Sequence, residues 1–82
     1  MATSDPSDLA AVFTVRSGVV AAFDDHVGAG TITDAADGRT WPFHCTRIAD
    51  GSRSIPVDVA VTFAVAPGPV GFEAVDVTPT GA

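Results

Sequence analysis

Three groups of side chains in this chain carry atoms capable of chemistry. Cys45 follows directly on His44, a thiol beside an imidazole, and His26 supplies a second imidazole. Asp24, Asp25, Asp34, Asp37 and Asp50 form a loose collection of acids in the first two thirds of the chain. Val27-Gly28-Ala29-Gly30 has the glycine spacing of loops that cradle phosphate. The corresponding chemistries are thiolate attack or metal ligation, general acid–base catalysis, and nucleotide binding.

Each of these readings fails on spacing. Neighbours in a strand point to opposite faces, so His44 and Cys45 neither form a dyad nor ligate one ion. His26 belongs to a turn. A single cysteine makes no internal disulfide, and four-ligand zinc spacing is absent. The aspartates fall where turns are expected, a place Asp takes because it hydrogen-bonds its own backbone. A catalytic carboxyl would need a buried setting to raise its pKa. The glycine pair has Thr33 where a dinucleotide fingerprint has its third glycine, and no helix follows. The glycines instead let a strand coil tightly. The expectations are therefore no enzymatic activity, no metal and no cofactor, with His44 exposed and Cys45 a small packing residue.

Charge narrows the partners. The formal net charge is −6, and all four cations are arginines: Arg16, Arg39, Arg47 and Arg53. Binders of nucleic acid gain affinity by neutralising phosphates with Lys and Arg, and this chain starts with the opposite field. The composition argues against strong non-specific binding to nucleic acid or an anionic membrane, and leaves room for a small local basic patch. Arg47 and Arg53 share one loop and either contact phosphate or solubilise it. No run of 18 apolar residues exists to span a membrane as a helix. The acidic, polar start MATSDPSD lacks the features of a secretory signal, and a cytoplasmic location is expected.

The elements that must position these residues are strands. Eighty-two residues with 46% hydrophobic content allow one domain and one small core. Asp5-Pro6-Ser7-Asp8 resembles a helix start, followed by about one turn over Leu9 to Val12. From there the grammar is β. Val15 to Phe23, Ala29 to Thr33 and Thr40 to Cys45 read as three strands, with Asp37-Gly38 closing the second hairpin. Arg47 to Ser54 is a longer loop. Residues 57–65 alternate with period two, placing Val57, Val59, Val61, Phe63 and Val65 on one face. Pro67-Gly68-Pro69 and Gly71 turn the chain, and residues 72–78 pair back before Pro79. Five short antiparallel strands hide their edges best in a closed barrel. The expected fold is all-β: a five-stranded antiparallel OB barrel over 15–79, with an N-terminal extension over 1–14 and a disordered tail over 80–82.

With the strands placed, Gly18 to Thr78 resembles the cold-shock domain. Gly18-Val19-Val20-Ala21-Ala22-Phe23-Asp24 stands where that family has Gly-x-Val-Lys-Trp-Phe-Asn. Val27-Gly28-Ala29-Gly30-Thr31-Ile32 stands for Lys-Gly-Phe-Gly-Phe-Ile, and Trp41-Pro42-Phe43-His44-Cys45 for Val-Phe-Val-His-Phe. Gly71, Ala74, Asp76 and Val77 fit the closing Gly-x-x-Ala-x-Asn-Val. The resemblance implies an OB barrel that binds single-stranded RNA or DNA by stacking bases on aromatics of the first three strands, with lysines on the backbone. Most of that apparatus is replaced. Ala22 stands for the Trp, Ala29, Thr31, Pro42 and Cys45 for Phe residues, and Ala21 and Val27 for lysines.

Phe23 and His44 remain at stacking positions, and Arg47 is the candidate phosphate contact. Trp41 has two readings. In the family register Trp41 and Phe43 point inward, and a bulge at Pro42 would turn both outward as a platform. The expected function is weak, sequence-tolerant single-strand binding. The alternative is a protein-interaction barrel that has lost nucleic-acid binding, in which Ala22, Ala29, Thr31 and Pro42 form a close small-residue contact. Val20, Ile32, Phe43, Val59, Val61 and Phe63 are the expected core.

Overall fold

The computed structural model describes residues 14–69 and 71–80. The expected N-terminal helical turn and the last two residues of the expected tail lie outside them. The described chain forms five strands: β1 (Arg16–Asp24), β2 (Ala29–Asp34), β3 (Thr40–His44), β4 (Ala60–Pro67) and β5 (Phe72–Pro79). A single 3₁₀ turn, Cys45–Arg47, follows β3, so Cys45 belongs to that turn and not to the strand. The sheet order is β3-β2-β1-β4-β5, every pairing antiparallel. The two edges, β3 and β5, meet across the core. A parallel bridge from Ile48 to Val77 ties the end of the 3₁₀ turn to β5, and the Ala49 N–H donates to the Val77 carbonyl at 2.8 Å. The architecture is the expected all-β OB barrel.

The core follows the strand alternation. Val20, Ile32, Trp41, Phe43, Val61, Phe63 and Val65 are buried from the strands, and Ile48 and Ile55 close the barrel from the long loop. Five of the six expected core residues are buried, and Val59 is half-buried. Alternation predicts a strand from 57, but β4 begins at Ala60. Asp58 takes φ 72°, in the left-handed region, where the chain bends onto β1. There the Asp58 N–H donates to the Val20 carbonyl (2.8 Å) and the Val20 N–H to the Val59 carbonyl (3.0 Å). Val57 is left 47% exposed. The expected tail also starts too early: Thr80 is anchored, its N–H and hydroxyl both donating to the Ala60 carbonyl.

Two bulges shape the barrel. In β1, Val20 pairs with Ile32 but Ala22 with Thr31, so Ala21 is the extra residue. In β5, Asp76 and Val77 together oppose Phe63, and Asp76 takes φ 57°, a conformation Asp tolerates better than most residues. No register shift occurs in β3: Ile32 pairs with Trp41, Thr31 with Pro42 and Gly30 with Phe43. Of the two readings of Trp41, the inward one is observed.

Candidate nucleic-acid interface

The outer face of β1–β3 is built from three cross-strand rows. Asp24, Ala29 and His44 form one, Ala22, Thr31 and Pro42 the next, and Val19, Thr33 and Thr40 the third. Strand alternation turns these side chains outward, opposite the buried Val20, Ile32, Trp41 and Phe43. His44 is the only aromatic side chain in the rows. Its Nδ1 accepts from the Thr46 N–H at 3.2 Å and contacts the Thr46 hydroxyl at 3.0 Å, capping the 3₁₀ turn. The acceptor role of Nδ1 assigns the proton of a neutral ring to Nε2.

The expected site residues do not share one surface. Phe23 pairs with Gly30, which pairs with Phe43, and this row lies on the inner side of the sheet. The Phe23 and Phe43 rings stack with centroids 5.8 Å apart and planes 24° apart. Gly30 makes that contact possible, because a Cβ there would come within 2.9 and 3.0 Å of the two rings. Phe23 is half-buried at one end of the barrel and not on the outer face. The cause is the Ala21 bulge, which exchanges the faces of Ala22 and Phe23.

Trp41 is 3% exposed and leaves the set of stacking candidates. Its Nε1–H donates to the Asp34 carboxylate at 3.2 Å. Asp34 also accepts from Arg16 Nε, an ion pair with a fully buried carboxylate, and from the Ala36 N–H at 2.9 Å. Burial alone would raise this carboxyl. The hydrogen bonds from Arg16, Ala36 and Trp41 outweigh that and hold it below its ordinary value. Asp34 is therefore a structural anchor, not an exposed turn acid. Carrying the β2 alternation of Gly30 and Ile32 one step further would have placed it inward. Three of the other four acids make the expected local bonds. Asp24, Asp37 and Asp50 accept from N–H groups two residues on, and Ser52 holds the Asp50 carboxyl below its usual range.

The arginines are largely engaged. Arg16 also lies 3.8 Å from Asp37, and Arg39 stacks its guanidinium 4.3 Å from the Trp41 ring centroid. Arg47 Nη2 is 4.0 Å from Glu73 Oε2, with half its side chain exposed. Arg53 is exposed in the long loop.

Beside the outer face, at the seam between β3 and the β4–β5 turn, lies a cleft of about 380 Å³. Ala29, Gly30, Pro42, Phe43 and His44 line one side, and Pro69, Gly71, Phe72 and Glu73 the other. Sequence reasoning missed Phe72 and Glu73, because nothing in β5 alone shows that its start meets β3 across the barrel. Cys45 is a free, half-buried thiol. No group of side chains among the described residues could hold a metal ion, and no described helix is long and apolar enough to cross a membrane.

No family model matches the chain, and no curated protein matches it. Among solved structures, a cold-shock segment of Drosophila Unr (CSD456) superposes with a TM-score of 0.67 at 19% identity. The match covers 94% of this chain and 31% of that structure, so the chain spans under a third of its length. The likeness is one of fold, and the fold is that of a cold-shock-type OB barrel.

Proposed function

We propose that the chain binds single-stranded nucleic acid weakly through the outer face of β1–β3 and has no enzymatic role. His44 stacks on a base at one end of the face, Arg47 meets a neighbouring phosphate, and Phe23 supports the sheet from within. The observation that carries the reading is the make-up of the three outer rows: a cold-shock-type frame with one aromatic side chain in place of a platform. Each stacked base is worth roughly 1–3 kcal/mol. Losing two or three of them costs several orders of magnitude, at about 1.4 kcal/mol per tenfold. Few arginines remain to compensate through counterion release. Titration with mixed single-stranded oligonucleotides tests this. Dissociation constants on the order of 100 μM or weaker are expected at physiological salt, with tighter binding at low salt. Submicromolar binding at physiological salt would overturn the weak reading.

A second reading has one observation in its favour. Exposed Ala22 and Pro42 flank half-buried Thr31 in one outward row of small side chains on an acidic molecule, a surface suited to close contact with another protein. Absence of all oligonucleotide binding at low salt would select it.

A further inference from the structure

Glu73 folds over Gly68 of the β4–β5 turn and is held there by an ion pair without a hydrogen bond. Its side chain is 16% exposed and lines the apolar cleft, and no described residue donates a hydrogen bond to its carboxylate. Arg47 offsets its charge from 4.0 Å, beyond hydrogen-bond range. A carboxylate has about four acceptor sites, and a largely buried one left unfilled is costly. The fitting occupant brings paired N–H donors on a flat, largely apolar body into a cavity within the size range of small-ligand sites. A cationic side chain has the donors but meets Arg47, which already neutralises the site. A neutral ring meets no such repulsion.

We propose that the cleft takes one nucleobase of a bound single strand, and that this base is guanine. Its N1–H and N2–H donate side by side to the Glu73 carboxylate, its ring lies against the Phe72 and His44 side, and Arg47 stays beside the carboxylate while its exposed half meets the flanking phosphate. The proposal rests on the single-strand reading above and adds a base preference to it. Cytosine offers one amino group. Thymine and uracil present a single N–H between two carbonyl oxygens, which the carboxylate repels.

The test titrates the whole chain at low salt with thymidine heptamers carrying a central guanine, hypoxanthine, adenine, cytosine or thymine. The guanine strand is expected to bind roughly tenfold more tightly than all-thymine, the scale of one good base-edge pair. Hypoxanthine, which lacks only the N2 amino group, falls back toward thymine. Glu73→Gln abolishes the guanine preference at unchanged far-ultraviolet circular dichroism, and Phe72→Ala weakens the guanine strand most. Equal binding of all five strands, or a guanine preference that survives Glu73→Gln, removes the cleft assignment and leaves single-strand binding standing. No binding to any strand overturns both. Should Glu73→Gln fail to fold, guanosine monophosphate is titrated into unmodified ¹⁵N-labelled protein. Shifts at the Gly30, His44, Gly71 and Phe72 amides support the site, and their absence at millimolar nucleotide overturns it.

Discussion

Asp34 joins three strands at one buried point, through Arg16 of β1, its own place at the end of β2, and Trp41 of β3. Truncating it strands a guanidinium that is only 18% exposed. Asp34→Ala should therefore lower unfolding free energy by about 3 kcal/mol, the lower end for a broken buried pair, measured in urea melts. The pH dependence follows from the sign of the shift. The folded carboxyl lies below the unfolded value of about 3.9. Its stabilisation is complete above the unfolded value and is lost as pH falls through the folded one. Asp34→Asn should flatten that acid limb in melts repeated from about pH 5 downward. Gly30 makes the opposite kind of demand. A methyl there would collide with the Ala22 backbone carbonyl and press on the rings of Phe23 and Phe43, so Gly30→Ala should cost about 3 kcal/mol, the upper end for overpacking. The sequence shows an acid after a strand and a glycine within one. It does not show that a carboxylate and an indole N–H share a depth, because that depends on pairing across β2 and β3.

Elements set which residues reach the outer face. The alternation after Val59, the hairpin at Asp37-Gly38 and the turn after Pro67 were legible because each is written in local residue types. The Ala21 bulge was not, since alanine beside alanine gives no local sign of an extra residue. That single insertion moved Phe23 indoors and left Ala22 outside, so the expected site lost a ring. Alternation alone starts β4 too early for a related reason: Val57 and Val59 keep the period, but Asp58 bends the backbone. The face can be refitted on the existing frame. Ala29 and Thr31 lie outward on β2, flanked by His44 and Pro42 of β3. Ala29→Phe with Thr31→Phe should tighten single-strand binding at least tenfold, given roughly 1–3 kcal/mol per stacked base. An unchanged dissociation constant in the same titration would show that β2 is not part of the binding surface.

At the scale of the whole molecule, charge and connectivity decide the behaviour. With Arg16 and Arg39 held by buried partners, one or two phosphate contacts are available. The slope of log K against log salt should then be shallow, about −1, from roughly 0.7 per phosphate on a single strand. A slope steeper than about −3 in a salt titration would mean more cations take part than the fold leaves open. Connectivity has a different consequence. Ile48 and Ile55 are buried at 3% and 5%, while every residue from 49 to 54 is exposed. On one side of that loop stands a three-strand sheet and on the other a hairpin, zipped together by β1 residues Arg16 to Val19 against β4 residues Ala60 to Phe63. Beyond the bond from the Ala49 N–H to β5, the exposed residues 50–54 thus add nothing to the core. Trypsin should cut first after Arg53, and the nicked protein should elute from gel filtration at its original size while denaturing electrophoresis shows two fragments. A barrel assembled this way is in effect a heterodimer whose subunits happen to be made as one chain, and its halves could be produced separately and mixed.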